Sequence, residues 1–149
     1  DHRPVELASL LEEAASDLLD GAVAKGIDLG FEADPVRVDG SRWMLREMLA
    51  NLIDNAIHYT PAEGRVTVRC GHTEEGHVFV EVEDDGPGIP EEERSKVFER
   101  FYRVPGSAGA GTGLGLAIVR EVADRHGAEV SIGSGADGSG ARIRVSFSG

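Results

Sequence analysis

The chain has 149 residues, with 15 Lys+Arg against 27 Asp+Glu, a formal net charge of −12, 20 Gly, and 40% hydrophobic residues. That size suits one domain burying roughly 68–70% of its unfolded surface, and the charge argues against a non-specific binder of nucleic acid. The single Cys70 rules out an internal disulfide, and no 18-residue apolar run or charged-then-apolar leader marks a membrane span or signal peptide. A small phosphorylated ligand stays open, because backbone N–H groups and a metal ion can overcome the overall field.

In chain order, Leu7, Leu10, Leu11, Ala14, Leu18 and Leu19 predict a helix over Val5–Lys25, stopped by Gly26. Extended pieces follow at Ile27–Glu32 and Val36–Asp39, split by Asp34-Pro35. Ser41 is then a candidate N-cap for a helix from Arg42 to about Tyr59, ended by Thr60-Pro61. Its apolar stripe is Leu45, Met48, Leu49, Leu52, Ile53 and Ala56. Alternation at Val66, Val68, Cys70 and at Val78, Val80, Val82 predicts an antiparallel hairpin across His72–His77. From Asp84 to Thr112 no long period holds, apart from a short helical piece around Glu92–Phe101; a stretch of this length suggests a lid or binding loop. A helix from about Gly113 to His126 and strands Glu129–Ser134 and Ala141–Phe147 close the chain, with a flexible loop expected over Gly135–Gly140. The fold class is therefore α+β, one sheet with helices on one face.

Three features carry chemistry. On the helix from Arg42 to about Tyr59, Glu47, Asn51, Asn55 and His58 recur at i, i+4, i+8 and i+11 and share one face. A solvated face is the plain alternative, but such faces favour Lys and Glu over Asn, a poor helix former. Neutral amide oxygens suit a partly hydrated Mg²⁺ that already bridges phosphates. The second feature is Glu83-Asp84-Asp85-Gly86-Pro87-Gly88-Ile89-Pro90 directly after a strand. It reads either as an acidic turn or as a backbone brought close to a ligand whose donor meets Asp84, with Asp85 left toward solvent. The third is Gly109 to Leu116 opening a helix. Each Gly in that first turn costs about 1 kcal/mol relative to Ala, which makes sense if backbone approaches an anion there; a flexible linker is the alternative. It is neither a P-loop nor a dinucleotide fingerprint.

Taken jointly, these segments resemble the ATP-binding catalytic domain of bacterial sensor histidine kinases, within the GHKL superfamily. Asn51-Leu-Ile-Asp-Asn55-Ala-Ile-His-Tyr59-Thr-Pro looks like the N box, and Asp84-Asp-Gly86-Pro-Gly88-Ile-Pro like the G1 box. Val97-Phe-Glu-Arg-Phe101-Tyr-Arg103 looks like the F box, and Gly111-Thr-Gly113-Leu-Gly115-Leu-Ala-Ile-Val119 like the G2 box. The resemblance covers nearly all of residues 1–149 and implies a two-layer α/β sandwich of the Bergerat type. Its sheet would be mixed and mainly antiparallel, with helices on one face and an ATP lid at about residues 90–112.

The same resemblance implies roles. Asp84 would bind the adenine amino group, with Gly86 and Gly88 beside the nucleotide and Tyr59 and Ile89 near the base. Asn55, with Asn51, would hold Mg²⁺ on the phosphates of ATP. Gly111, Thr112, Gly113, Leu114, Gly115 and Leu116 would line the phosphates as the lid closes. Phe98 and Phe101 would anchor the lid or meet a partner, and Arg100 and Arg103 are candidates to reach the γ-phosphate. His58 stands where many relatives carry a fixed cation, and Asp85 where Asn is common. A phosphate-facing His58 would make ATP binding tighten toward acid pH.

Asn51 also stands where hydrolytic members of the superfamily carry a water-activating Glu, and an amide cannot take that proton. Transfer to a separate nucleophile is therefore expected over hydrolysis. None of His2, His58, His72, His77 and His126 has the family's acceptor context. The acceptor would lie on separate dimerisation helices, with a response regulator downstream. An isolated domain would be a monomer, the full-length kinase a homodimer, and the setting the cytoplasmic side of an inner-membrane sensor. The alternatives are an anti-sigma factor that phosphorylates a Ser on an antagonist, which the F-box stretch argues against, and a nucleotide sensor without catalysis.

Overall fold

The computed structural model describes residues 2–99, 115–135 and 138–148. The chain runs β1 (Arg3–Glu6), α1 (Leu7–Ser16), α2 (Leu19–Lys25), β2 (Asp28–Ala33), β3 (Arg37–Gly40), α3 (Arg42–Tyr59), β4 (Arg65–His72) and β5 (Val78–Asp84). A 3₁₀ turn at Glu91–Glu93 follows, then α4 (Gly115–Arg125), β6 (Ala128–Gly133) and β7 (Arg142–Phe147). Five strands form one sheet in the order β2-β4-β5-β7-β6, with β2 parallel to β4 and every other pair antiparallel. The expected α+β class and mixed, mainly antiparallel sheet hold.

Alternation decides which face is covered. Val66, Val68, Cys70, Val80, Val82, Ile143, Val145 and Phe147 are all buried and share one core with the apolar stripes of α1, α3 and α4. The opposite face carries charge instead. Arg69 hydrogen-bonds Glu32, Glu81 and Glu83 at 2.8, 2.9 and 2.6 Å, while Arg144 donates to Glu81 at 2.8 Å and stacks its guanidinium over Phe79 at 4.1 Å. Glu81 is thereby buried with its charge matched. Burial works to lower the Arg69 pKa, but its three carboxylate partners outweigh that and raise it.

α3 is the element that the sequence describes best. The Ser41 hydroxyl accepts from the Met44 N–H at 3.4 Å, Thr60 follows the last turn, and all six predicted stripe residues are buried together with Ile57. Gly26 ends α2 with φ +73°, as expected of a left-handed stop.

Three expectations need correction. The single helix over Val5–Lys25 is a strand and two helices. Val5 pairs with Val38 in a separate two-stranded sheet, β1-β3, so there are two sheets rather than one. The helix breaks at Asp17-Leu18, where the Asp17 carboxylate is drawn to Arg46 of α3; Leu18 turns toward the core while Leu19 stays exposed. The helical piece at Glu92–Phe101 is the 3₁₀ turn and further turns up to residue 99, because three successive glutamates offer no apolar stripe to bury. In the loop over Gly135–Gly140, the Gly135 N–H donates to the Ser139 carbonyl at 2.9 Å, Ala141 pairs with Asp84, and residues 136–137 lie outside the described residues. For the last helix the described part starts at Gly115; Gly113 and Leu114 lie outside the described residues.

Candidate functional site

Four segments converge at one end of the sheet: the C-terminal half of α3, the turn after β5, the start of α4 and the β6–β7 loop. Asp84 is the last residue of β5. Its Oδ1 accepts from the Gly86 N–H at 2.9 Å and the Ala141 N–H at 3.2 Å. Its own N–H donates to the Ala141 carbonyl at 2.9 Å. Burial pushes the Asp84 carboxyl above the usual range; the two amides pull it back, and Asp85 and Glu83 push it up again. Both of these amides fall on Oδ1.

Glycine makes the close approaches possible. A Cβ on Gly86 would stand 3.0 Å from the Tyr59 carbonyl oxygen and 3.2 Å from Asp84 Oδ1. One on Gly88, where φ is +80°, would stand 2.7 Å from the Gly140 carbonyl oxygen. The turn after β5 is thus wedged between the end of α3 and the β6–β7 loop. Asp85 is exposed, as expected, but its Oδ1 also accepts from the Arg65 N–H at 2.8 Å, which fixes the turn to the start of β4.

On α3, the Asn51 side chain donates to the Glu47 carbonyl at 2.8 Å. Its Oδ1 faces the start of α4, 3.4 Å from where a Cβ on Gly115 would be. Asn55 and Tyr59 are half-buried on the following turns, and Leu116 is buried. Ile89 packs partly buried against the core, with its carbonyl accepting from Arg94 Nε at 3.0 Å. Phe98 packs against the core too, under the Arg120 guanidinium at 4.5 Å.

His58 is placed differently. Its Nδ1 is 2.9 Å from the Asp54 carbonyl, to which it donates, and 3.4 Å from the Asp54 carboxylate. The ring lines a cavity of about 350 Å³ together with Asp17, Leu18, Gly21, Lys25, Asp54 and Ile57, on the side of α3 facing α2. None of Asn51, Asn55 and Asp84 lines that cavity. Arg100, Phe101, Arg103, Gly111, Thr112, Gly113 and Leu114 lie outside the described residues.

Sequence reasoning missed several supporting residues. Ala141 and Gly140 hold Asp84 from across the sheet. Arg94 bridges Ile89 to the Ser134 hydroxyl at 3.4 Å. The His126 Nδ1–H donates to the Val122 carbonyl at 2.8 Å, leaving Nε2 to accept from the Ser41 N–H at 3.1 Å, so the end of α4 is tied to the start of α3. Each ties together segments far apart in the chain, and only the glycines gave a signal that could have been read.

Residues 40–148 match the family model described as histidine kinase-, DNA gyrase B-, and HSP90-like ATPase. The chain is 40% identical over 143 residues to the sensor protein kinase PmrB of Pseudomonas aeruginosa, covering 95% of this chain and 30% of that protein. It is 39% identical over 132 residues to the signal transduction histidine-protein kinase/phosphatase MprB of Mycolicibacterium smegmatis, covering 87% of this chain and 26% of that protein. It therefore spans less than a third of the length of these relatives. Among solved structures, a mycobacterial sensor histidine kinase MprB superposes with a TM-score of 0.87 at 32% identity, covering 99% of this chain and 97% of that one. Full-length ShkA in complex with AMPPNP gives 0.84 at 30% identity, covering 99% of this chain and 31% of that one.

Proposed function

Because the chain belongs to the histidine kinase-, DNA gyrase B- and HSP90-like ATPase family, we propose that it binds Mg-ATP and donates the γ-phosphoryl group to a histidine on a separate dimerisation domain. This is the catalytic step of two-component signalling. The observation that carries the reading is Asp84. Its Oδ1 is held by two backbone amides, which fixes the carboxylate to accept from an external donor such as the adenine amino group. Gly86 and Gly88 keep side chains out of the way, while Tyr59 and Ile89 supply apolar surface for the base.

The α3 amides suit Mg²⁺. Asn51 and Asn55 stand one turn apart, and because the Asn51 Nδ2 is turned back to the Glu47 carbonyl, its oxygen is the atom on the other side. Neutral oxygens add no charge to a cation already balanced by phosphates, and the bound cation would neutralise them. Asn51 cannot act as a general base toward water, so phosphate transfer is favoured over hydrolysis. The acceptor imidazole would form its N–P bond as the P–O bond to ADP breaks, and the ring proton would leave to solvent. The chain's own residues contribute position and charge. By the family resemblance, Arg103 or Arg100 would reach the γ-phosphate, and the Gly111–Leu116 backbone would line the phosphates.

The partners in this reading are the acceptor helices and a response regulator, with the isolated domain a monomer and the whole kinase a homodimer. The setting is cytoplasmic, beneath an inner-membrane sensor. Among the described residues no helix is long and apolar enough to cross a membrane.

Calorimetric titration of ATP with and without Mg²⁺, followed by transfer of labelled γ-phosphate to purified acceptor helices, tests the reading. Binding and transfer by the wild type, with neither from Asp84→Asn, are expected. A folded wild type that binds no ATP overturns it.

A further inference from the structure

The last turn of any helix leaves carbonyls without intrahelical partners. On α3 nearly all of them are accounted for. The Ala56 carbonyl accepts from both the N–H and the hydroxyl of Thr60, at 3.0 and 2.7 Å. The next two, Ile57 and His58, are taken by a single side chain from another element: Lys25 Nζ donates to them at 2.9 and 3.0 Å. This ammonium also lies at the negative end of the helix dipole.

The backbone around Lys25 grips the same place from the other side. The Lys25 carbonyl accepts from the Glu63 N–H at 3.1 Å, and the Asp28 N–H donates to the Gly64 carbonyl at 2.9 Å. Gly26 at φ +73° turns the chain between them. The end of α2 and the turn after α3 are therefore locked together, and this last stretch of α3 carries Asn55, His58 and Tyr59. The Tyr59 carbonyl in turn abuts Gly86 of the Asp84 turn.

We propose that Lys25 is a positioning residue for nucleotide binding, acting by capping α3 from outside so that its last turn meets the Asp84 turn at a fixed height. The proposal rests on the nucleotide reading above. Lys25 touches no part of the ligand in this account.

The test compares Mg-ATP affinity with thermal midpoint in four proteins, all titrated well below their midpoints. Lys25→Met keeps the aliphatic stem and loses the donors. It is expected to weaken Mg-ATP binding about ten-fold, the scale of losing one to two charge-assisted hydrogen bonds that hold the site. Lys25→Arg, which retains donors, is expected to recover affinity to within about three-fold of wild type. Arg46→Met loosens the same helix layer, removing ion pairs to Glu13 and Asp17 without touching the α3 carbonyls. It is expected to lower the midpoint while leaving affinity within about two-fold. If Lys25→Met does not fold, Lys25→Gln, with one amide donor group, takes its place and should fall between. Wild-type affinity in Lys25→Met or Lys25→Gln overturns the proposal. So does an equal affinity loss in Arg46→Met at matched destabilisation, which would mean general loosening. A folded wild type that binds no Mg-ATP overturns the nucleotide reading and this proposal together, whereas normal wild-type binding with unaffected Lys25 variants overturns this proposal alone.

Discussion

Gly140 sits so close beneath Asp84 that a Cβ at position 140 would overlap the Asp84 carbonyl oxygen. Its φ of +75° adds a second reason for glycine there. The carboxylate at the heart of the candidate site is thus seated by a loop more than 50 residues further along the chain, through Gly140 and its neighbour Ala141.

Gly140→Ala should therefore fail on both counts. Backbone cannot yield as a flexible side chain can, so a loss of about 3 kcal/mol or more is expected. Urea unfolding checks the stability, and nucleotide titration of the folded fraction checks whether Asp84 has lost its seat.

Asp84 itself links stability to pH in an unusual direction. Its folded pKa is raised by burial, so the folded state holds its proton more tightly than the unfolded chain. Stability from this group is present at acid pH and lost as pH rises from about 3.9, the ordinary aspartate value, through the raised folded value. Asp84→Asn should accordingly keep or raise the ligand-free midpoint at pH 7 while abolishing nucleotide binding, because an amide N–H then faces the ligand's donor. Wild-type nucleotide affinity should fall as acid protonates Asp84. Melting and calorimetry at pH 5, 6 and 7 separate the two effects.

Asn55→Ala should separate the metal from the base. Affinity for ATP measured without Mg²⁺ is expected to stay within about three-fold, whereas the gain on adding Mg²⁺ should be largely lost. Asn55 is half-buried, so a stability loss of no more than about 1 kcal/mol is expected.

His126 bridges two helices through both ring nitrogens. His126→Ala should cost about 2 kcal/mol in urea unfolding, since the Ser41 N–H at the mouth of α3 loses its acceptor. Affinity for ATP should change far less, because the bridge lies at the opposite end of α3 from Asn55 and Tyr59.

On the uncovered sheet face, Glu81→Ala leaves Arg69 and Arg144 each short of a carboxylate. The expected loss is about 3 kcal/mol, moderated by the partial exposure of both arginines. Glu81→Gln should cost less. Chemical unfolding of the pair against wild type decides it.

Legibility from sequence followed the range of the interactions. α3 was readable to the residue because its signals are local: a Ser41 cap, an unbroken stripe and Thr60-Pro61. The β4–β5 hairpin was readable from alternation alone, and Asp84 from its place between a strand and two glycines. The break at Asp17-Leu18 was not, because the apolar spacing suits one helix or two and the decision is made by Arg46 on another element. β1 is four residues long and exists only through pairing with β3. Lys25 and His126 work on backbone groups far away in sequence, and that leaves no pattern to read.

The charged face of the sheet has a consequence for behaviour outside the domain. A sheet covered on only one side normally leaves an adhesive surface, yet here the arginines and glutamates satisfy one another and screen Phe79 beneath Arg144. Among the described residues, the result is a back on which Arg69, Arg144 and Glu81 hold one another's charge and little apolar surface is left bare to draw other proteins.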